Sequence, residues 1–243
     1  MITGETAVVT GASAGIGAEI ARTLLEQGHD VVTLQRRPPS FSHPRLSHRA
    51  VDLSDRAATR EVAGELARSH PVRYLVNNAG VNRPGRIEQV TDEDLDQVFA
   101  VNLAAAIVLA QAFLPGMREA HYGRILNIAS RALLGKIGRT AYATTKAGLI
   151  GLTNSLAVEA GADGVTANAI APGPVASELF DNGHPPGSAQ RQRVIDGVLV
   201  GRVGTPEDIA HAAAFLLDRR SGYITGQLLF VCGGTSVTGT GGQ

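Results

Sequence analysis

Tyr142 and Lys146 stand four residues apart in YATTK, the separation that puts two side chains on one face of a helix. A free phenol ionises near pH 10 and exchanges protons poorly at neutrality. An ammonium beside it favours the phenolate, so Lys146 is expected to lower the pKa of Tyr142. So tuned, the phenol can give a proton to a carbonyl oxygen or take one from an alcohol. Ser130 follows RILNIA, twelve residues before Tyr142, where its hydroxyl can hold a substrate oxygen beside the phenol.

A second group of residues suits phosphate. TGASAGIG, Thr10 to Gly17, lies between a strand pattern and a helix pattern. Its Gly11, Gly15 and Gly17 are spaced four and two apart, unlike the GxGxxG register, but the physics is shared. Backbone can approach a pyrophosphate there, with Ser13 in the turn, and the helix opening near Ile16 directs free N–H groups at the charge. In NNAG, Asn77 to Gly80, paired amides can tie down a loop crossing the top of a sheet, and Gly80 permits contact with a flat ligand. At the end of the second strand, VVTLQRR offers Gln35 rather than a carboxylate, followed by Arg36 and Arg37. Two guanidiniums and the Ser13 hydroxyl suit a 2′-phosphate, so NADP(H) is preferred and NAD(H) is the alternative.

These residues need a scaffold. Short β-rich runs at Thr6–Thr10, Val31–Gln35, Val72–Asn77, Arg124–Ala129, Val165–Ile170 and Gln227–Val231 alternate with helical patterns, and a shorter run sits near Arg49–Val51. Alternation of this kind predicts an α/β fold, a doubly wound parallel sheet with helices on both faces and ligands at the carboxyl ends of the strands. Continuously apolar LLFV fits a strand covered on both sides. Two loops stand out, Pro38–Ser47 and Asp181–Gln190, and residues 178–200 read as a substrate lid.

Composition agrees with a large folded core. The 243 residues are 44% hydrophobic and 18% charged, with 22 basic against 22 acidic residues. That balance does not indicate a nucleic-acid or membrane-surface partner. One cysteine, Cys232, excludes an intramolecular disulfide and fits a cytoplasmic setting. The start does not read as a signal peptide, and the apolar stretch Ala104 to Leu114 is expected to be a short buried helix. The seven histidines are scattered, so no metal site is expected, and only His184 in the lid invites attention.

The order TGASAGIG, NNAG, Asn102 in AVNLA, Ser130, YATTK and IAPGPVAS resembles the short-chain dehydrogenase/reductase family from about residue 4 to 236, its 3-oxoacyl-acyl-carrier-protein reductase-like members above all. That resemblance implies one Rossmann-type catalytic domain over 1–243 and hydride transfer between a nicotinamide and a carbonyl or secondary alcohol. It makes Tyr142 the general acid/base, and gives Lys146 the nicotinamide ribose as well as the tuning of Tyr142. Ser130 orients the substrate oxygen, and Asn102 anchors a water that relays protons. It also places Asp52 at the adenine amino group with Leu53 among the cofactor contacts, and Asn78, Ala79 and Gly80 along the adenosine ribose side. Pro172, Gly173, Val175 and Ser177 lie along the nicotinamide and phosphates. A 3-oxoacyl thioester, small or carrier-bound, is the first substrate expected; a small alcohol, sugar or biosynthetic ketone is the second, and a non-catalytic dinucleotide sensor the third. A homotetramer or dimer is implied, through ITGQLLFV and the helices around Ala104 and Leu149. Three departures stand against the pattern: a Ser130–Tyr142 gap one residue short, Ser177 for Thr, and Cys232 for Asp. Arg131, Lys136 and Arg139, like Arg191 and Arg193, suit either an anionic substrate or carrier, or an interface.

Overall fold

The computed structural model describes residues 5–238; residues 1–4 and 239–243 of the expected domain lie outside the described residues. Seven strands form one sheet in the order β3-β2-β1-β4-β5-β6-β7. They are β1 (Thr6–Thr10), β2 (Asp30–Gln35), β3 (Leu46–Ala50), β4 (Val72–Asn77), β5 (Gly123–Ile128), β6 (Val165–Pro172) and β7 (Leu228–Val231). Every pairing is parallel, as crossover helices require. Those helices are α1 (Gly15–Glu26), α2 (Arg56–Ser69), α3 (Asp92–Phe99), α4 (Ala105–Glu119), α5 (Thr140–Ala160), α6 (Glu178–Gly183), α7 (Ala189–Asp196) and α8 (Pro206–Leu217).

The period-two alternation of the strands distributes apolar side chains to both faces. In β1, Ala7 and Val9 join Ile20 and Leu24 of α1 and Ile209 and Ala213 of α8, while Val8 joins Leu66, Leu109 and Phe113 on the other side. The sheet is thus doubly wound, as expected, and its order changes direction between β1 and β4, where such folds open a crevice.

Four details differ from the sequence reading. The third strand runs Leu46–Ala50, earlier and longer than expected, because its backbone pairs in register with Val31–Gln35 and recruits the end of the Pro38–Ser47 loop. Strand LLFV is the last strand of the sheet among the described residues, and Leu229 on it is 39% exposed rather than covered. The segment Asp181–Gln190 is helical at its head, within α6, because the Ser177 hydroxyl caps that helix by accepting from Phe180 N at 3.2 Å. Finally, the apolar Ala104–Leu114 stretch belongs to a continuous 28-residue helical run, Asp92–Glu119, joined through a π turn at Ala100–Ala104. By length and composition that run could cross a membrane, but half of its most apolar window is buried in the fold, including Leu109, Phe113 and Leu114.

Candidate active site

The glycine turn after β1 and the NNAG segment after β4 are built against each other. A Cβ on Gly17 would meet Asn78 Nδ2 at 2.3 Å and Gly11 O at 2.4 Å, and one on Gly11 would meet Ala79 Cα at 2.8 Å. Only glycine fits such an approach. Asn78 Nδ2 donates to Thr10 O (3.0 Å) and Gly11 O (2.9 Å), so its amide braces the turn. The Thr10 hydroxyl accepts from Asn78 N and Ala79 N, each at 2.9 Å. Sequence reasoning missed Thr10, although it sits at the head of the motif.

The end of β2 completes this half. Gln35, 7% exposed, accepts from Ala12 N at 3.2 Å, while its Nε2 is buried without a partner. Arg36 and Arg37 are exposed beside it, and Ser13 and Ile16 are half-buried in the turn. At the N-terminus of α1 no side chain caps the free N–H groups. Asp52 is exposed; the Ser54 hydroxyl (2.7 Å) and N–H (2.9 Å), with Arg36 nearby, hold its carboxyl below the usual range. Leu53 is buried in the core beside it. Across the crevice, Pro172 ends β6, Gly173 N donates to Val231 O at 3.0 Å, and Val175 pairs with Gly204. Ser177 borders Gly15, whose Cβ would lie 3.9 Å from that of Ser177. A cradle of backbone, an orphaned amide and two exposed guanidiniums fit a phosphorylated dinucleotide.

The reactive half hangs from α5, whose early turns carry Tyr142 and Lys146 on one face. Lys146 is 2% exposed; its Nζ donates to Ile128 O at 2.7 Å and lies 5.7 Å from the centre of the Tyr142 ring. Burial pulls its pKa down to about 8. The Ser130 side chain stands close enough to the Tyr142 hydroxyl to favour the phenolate, and its Oγ accepts from Ala132 N at 3.2 Å. The expected lowering of Tyr142 by Lys146 is not what the structure shows. Burial raises the phenol, and the lowering influences are the Ser130 hydrogen bond and Arg139. The physical reason is that desolvation of the buried phenol outweighs both, and Lys146 is not among the lowering influences.

Asn102, in the π turn, is 2% exposed. Its Oδ1 accepts from Val81 N at 2.7 Å, and its Nδ2 donates to Val81 O (2.9 Å) and Thr145 Oγ1 (3.2 Å). Gly80 brings the two halves together: a Cβ there would be 3.4 Å from Lys146 Nζ and 3.5 Å from Asn102 Oδ1. Beneath them, Asn77 donates to Asn127 Oδ1 and Asn127 to Thr153 Oγ1, both at 2.8 Å, locking β4, β5 and α5. Asn127 and Thr153 gave no sequence signal, since a polar residue in a strand or helix reads as ordinary until its partner is known.

With this geometry in place, the relatives decide the family. A family model described as enoyl-(acyl carrier protein) reductase matches residues 11–236. A 3-oxoacyl-[acyl-carrier-protein] reductase, FabG, of Rickettsia prowazekii is 35% identical over 96% of this chain and 97% of its own. The BbsD subunit of a (2S)-[(R)-hydroxy(phenyl)methyl]succinyl-CoA dehydrogenase of Thauera aromatica is also 35% identical, over 97% and 98%. A solved short-chain dehydrogenase/reductase family protein superposes with a TM-score of 0.84 at 31% identity, covering 98% of this chain and all of its own.

The chain belongs to the short-chain dehydrogenase/reductase family. As a short-chain dehydrogenase/reductase it is an oxidoreductase acting on C=O or CH–OH groups. Another solved member, from Beutenbergia cavernae, is provisionally assigned as an NAD(P)-dependent gluconate 5-dehydrogenase and holds NADP at low occupancy. It has a TM-score of 0.89 and 34% identity, covering 96% of this chain and 97% of its own.

Proposed function

We propose that this enzyme is an NADP(H)-dependent reductase of a 3-oxoacyl thioester, small or carrier-bound. The observation that carries the chemistry is the convergence of the Tyr142 phenol and the Ser130 side chain beside the buried ammonium of Lys146. The substrate class is supported by the 3-oxoacyl-[acyl-carrier-protein] reductases among its relatives.

In this reading Gly11, Ser13, Gly15, Ile16 and Gly17 receive the pyrophosphate, and Arg36 and Arg37 the 2′-phosphate. Asp52, Leu53, Asn78, Ala79 and Gly80 border the adenosine, while Pro172, Gly173, Val175 and Ser177 border the nicotinamide. When bound, the cofactor supplies or accepts hydride at the substrate carbon. Tyr142, kept protonated at neutral pH by burial, donates its proton to the carbonyl oxygen that Ser130 orients. Lys146 holds the ribose, and with a pKa near 8 it can return a proton to Tyr142 at neutral pH. Asn102 anchors the water that feeds this relay, beside Lys146 at Gly80.

A second reading, oxidation of a sugar or sugar acid, is favoured by the gluconate dehydrogenase likeness and by an aldohexose dehydrogenase of Thermoplasma acidophilum, whose structure matches with a TM-score of 0.89 at 27% identity over 98% of this chain and 96% of its own. Purified protein separates the readings. Loss of NADPH absorbance with 3-oxoacyl thioesters supports the first, and NADP reduction by gluconate or aldohexoses without thioester turnover supports the second. Cofactor binding without turnover across both panels sinks both in favour of a sensor.

The same reading treats 1–243 as one catalytic domain in the cytoplasm, with residues 178–200 as its lid. Within that segment Arg191 pairs with Asp181 at 2.6 Å, and Phe180 stacks on His184 at 4.5 Å. Assembly as a dimer or tetramer is supported by the exposed apolar side chains of Leu229 on β7 and Ile107 on α4.

A further inference from the structure

The segment that leads into Tyr142 carries three basic residues, Arg131, Lys136 and Arg139, that the reaction does not use. Arg139 is the N-cap residue of α5, three positions before Tyr142, and its charge bears on the phenol. Its Nη1 is buried with no hydrogen-bond partner. A guanidinium nitrogen in that state forfeits its water without replacement, which is costly unless another group meets it. Lys136 and Arg131 flank it: burial first, then the charges of Arg139 and Arg131, pull the Lys136 ammonium below its ordinary range.

No compensating anion comes from the chain. Among the described residues, no carboxylate pairs with Arg131, Lys136 or Arg139. The first turn of α5 contains no acidic residue, and no side chain caps it. Arg139 is nevertheless held in place: its backbone pairs with Gly85, and Gly85 N donates to Gly138 O at 3.1 Å. Three cations gathered and positioned against their mutual repulsion, with a donor left over, describe half of an ion pair.

We propose that Arg139, backed by Lys136 and Arg131, binds an oxyanion of the substrate, carboxylate or phosphate, beside the carbonyl that Tyr142 protonates, so that the enzyme selects anionic carbonyl compounds. The inference rests on the assignment of this site as a carbonyl reductase for its kinetic arm, and it points past a neutral 3-oxoacyl thioester to a carbonyl compound that carries its own carboxylate or phosphate, as the sugar-acid reading does.

The test compares matched ketones with NADPH: acetoacetate against methyl acetoacetate, and dihydroxyacetone phosphate against dihydroxyacetone. The readout is the ratio of kcat/KM for the anion to that for its neutral partner, in the parent enzyme, Arg139→Gln and Arg139→Lys. Charge-assisted contacts of this kind predict a ratio of roughly tenfold to hundredfold for the preferred anion, carried by KM. It should collapse in Arg139→Gln, return in part in Arg139→Lys, and shrink with salt. Which pair shows it tells carboxylate from phosphate. A residue that only tuned the phenol would change both members of a pair equally, so an unchanged ratio in Arg139→Gln overturns the proposal, as does a parent ratio near one for both pairs. Should no ketone turn over, the reductase assignment is what fails; calorimetric titration of the NADP-loaded protein with acetoacetate and with inorganic phosphate then decides the anion site. Binding that Arg139→Gln abolishes supports it, and no binding overturns it.

Discussion

At the amino end of the sheet, Tyr74 donates to Glu5 at 2.8 Å and its hydroxyl meets that of Tyr122 at 2.8 Å. Glu5 also pairs with Arg219, whose guanidinium lies 3.9 Å from the centre of the Tyr122 ring. Arg124, 3% exposed, spends its donors on the carbonyls of Gly123, Gly164, Asp218 and Arg219. At the carboxyl end the pattern reverses. Gln35 Nε2, Asn77 Oδ1, Asn82 Oδ1 and Arg139 Nη1 are buried without hydrogen-bond partners, and buried Lys146 has only a carbonyl. Both ends concentrate polar groups; at the amino end the Tyr74–Glu5–Arg219 and Arg124 groups are satisfied from the same chain, with Thr166 Oγ1 and Arg118 Nε as exceptions, while more of the carboxyl-end groups stand open around the site. A closed network adds stability, and an open one stores the free energy that binding releases.

The contrast can be broken most forcefully at Tyr142. Tyr142→Phe should lower turnover by about 10³-fold, the scale of a lost general acid, while thermal stability and NADPH binding hold. Retained turnover would remove the phenol from the reaction.

Lys146 gives the next effect. Its pKa falls from 10.5 to about 8 on burial, so between those values the unfolded chain binds more protons than the folded one, and stability rises with pH through that window. Below it the folded state carries the full cost of a buried charge. Lys146→Met should abolish this slope and gain up to roughly 3 kcal/mol at neutral pH, less the lost bond to Ile128. Urea unfolding at pH 7 and pH 10 measures it; parallel slopes in the two proteins would contradict the burial argument.

At Gly17 an added methyl has only backbone and the Asn78 amide to move. Gly17→Ala should weaken NADPH binding by roughly tenfold to hundredfold, in line with the 1–3 kcal/mol of overpacking, and calorimetry reads it directly. The smallest change belongs to the closed end: Tyr74→Phe should cost about 1 kcal/mol of stability and leave kcat and KM untouched. A kinetic defect there would mean that the two ends are coupled.

Much of this was legible in the chain. Strands β1, β2 and β4 read almost to the residue because both of their faces are apolar, and the loop motifs read because glycine and asparagine act over a few bonds. Less legible were the parts whose meaning depends on a distant partner. Thr10 looks like the last residue of a strand until Asn78 and Ala79 donate to it, and β3 is too polar to declare itself without β2 alongside. The π turn that joins α3 to α4 left no pattern, so the helix looked shorter than it is.

The same division holds for the chemistry. Local sequence determined the alternation of elements, the glycine turn, and the presence of Ser130, Tyr142 and Lys146 at spacings that a strand end and a helix face can use. Only the tertiary structure decided their charge states, because desolvation is a property of everything packed around a group. It turned an expected lowering of Tyr142 into a raising, drew Lys146 to about 8, and left the Arg139 guanidinium beside the phenol without an anion of its own.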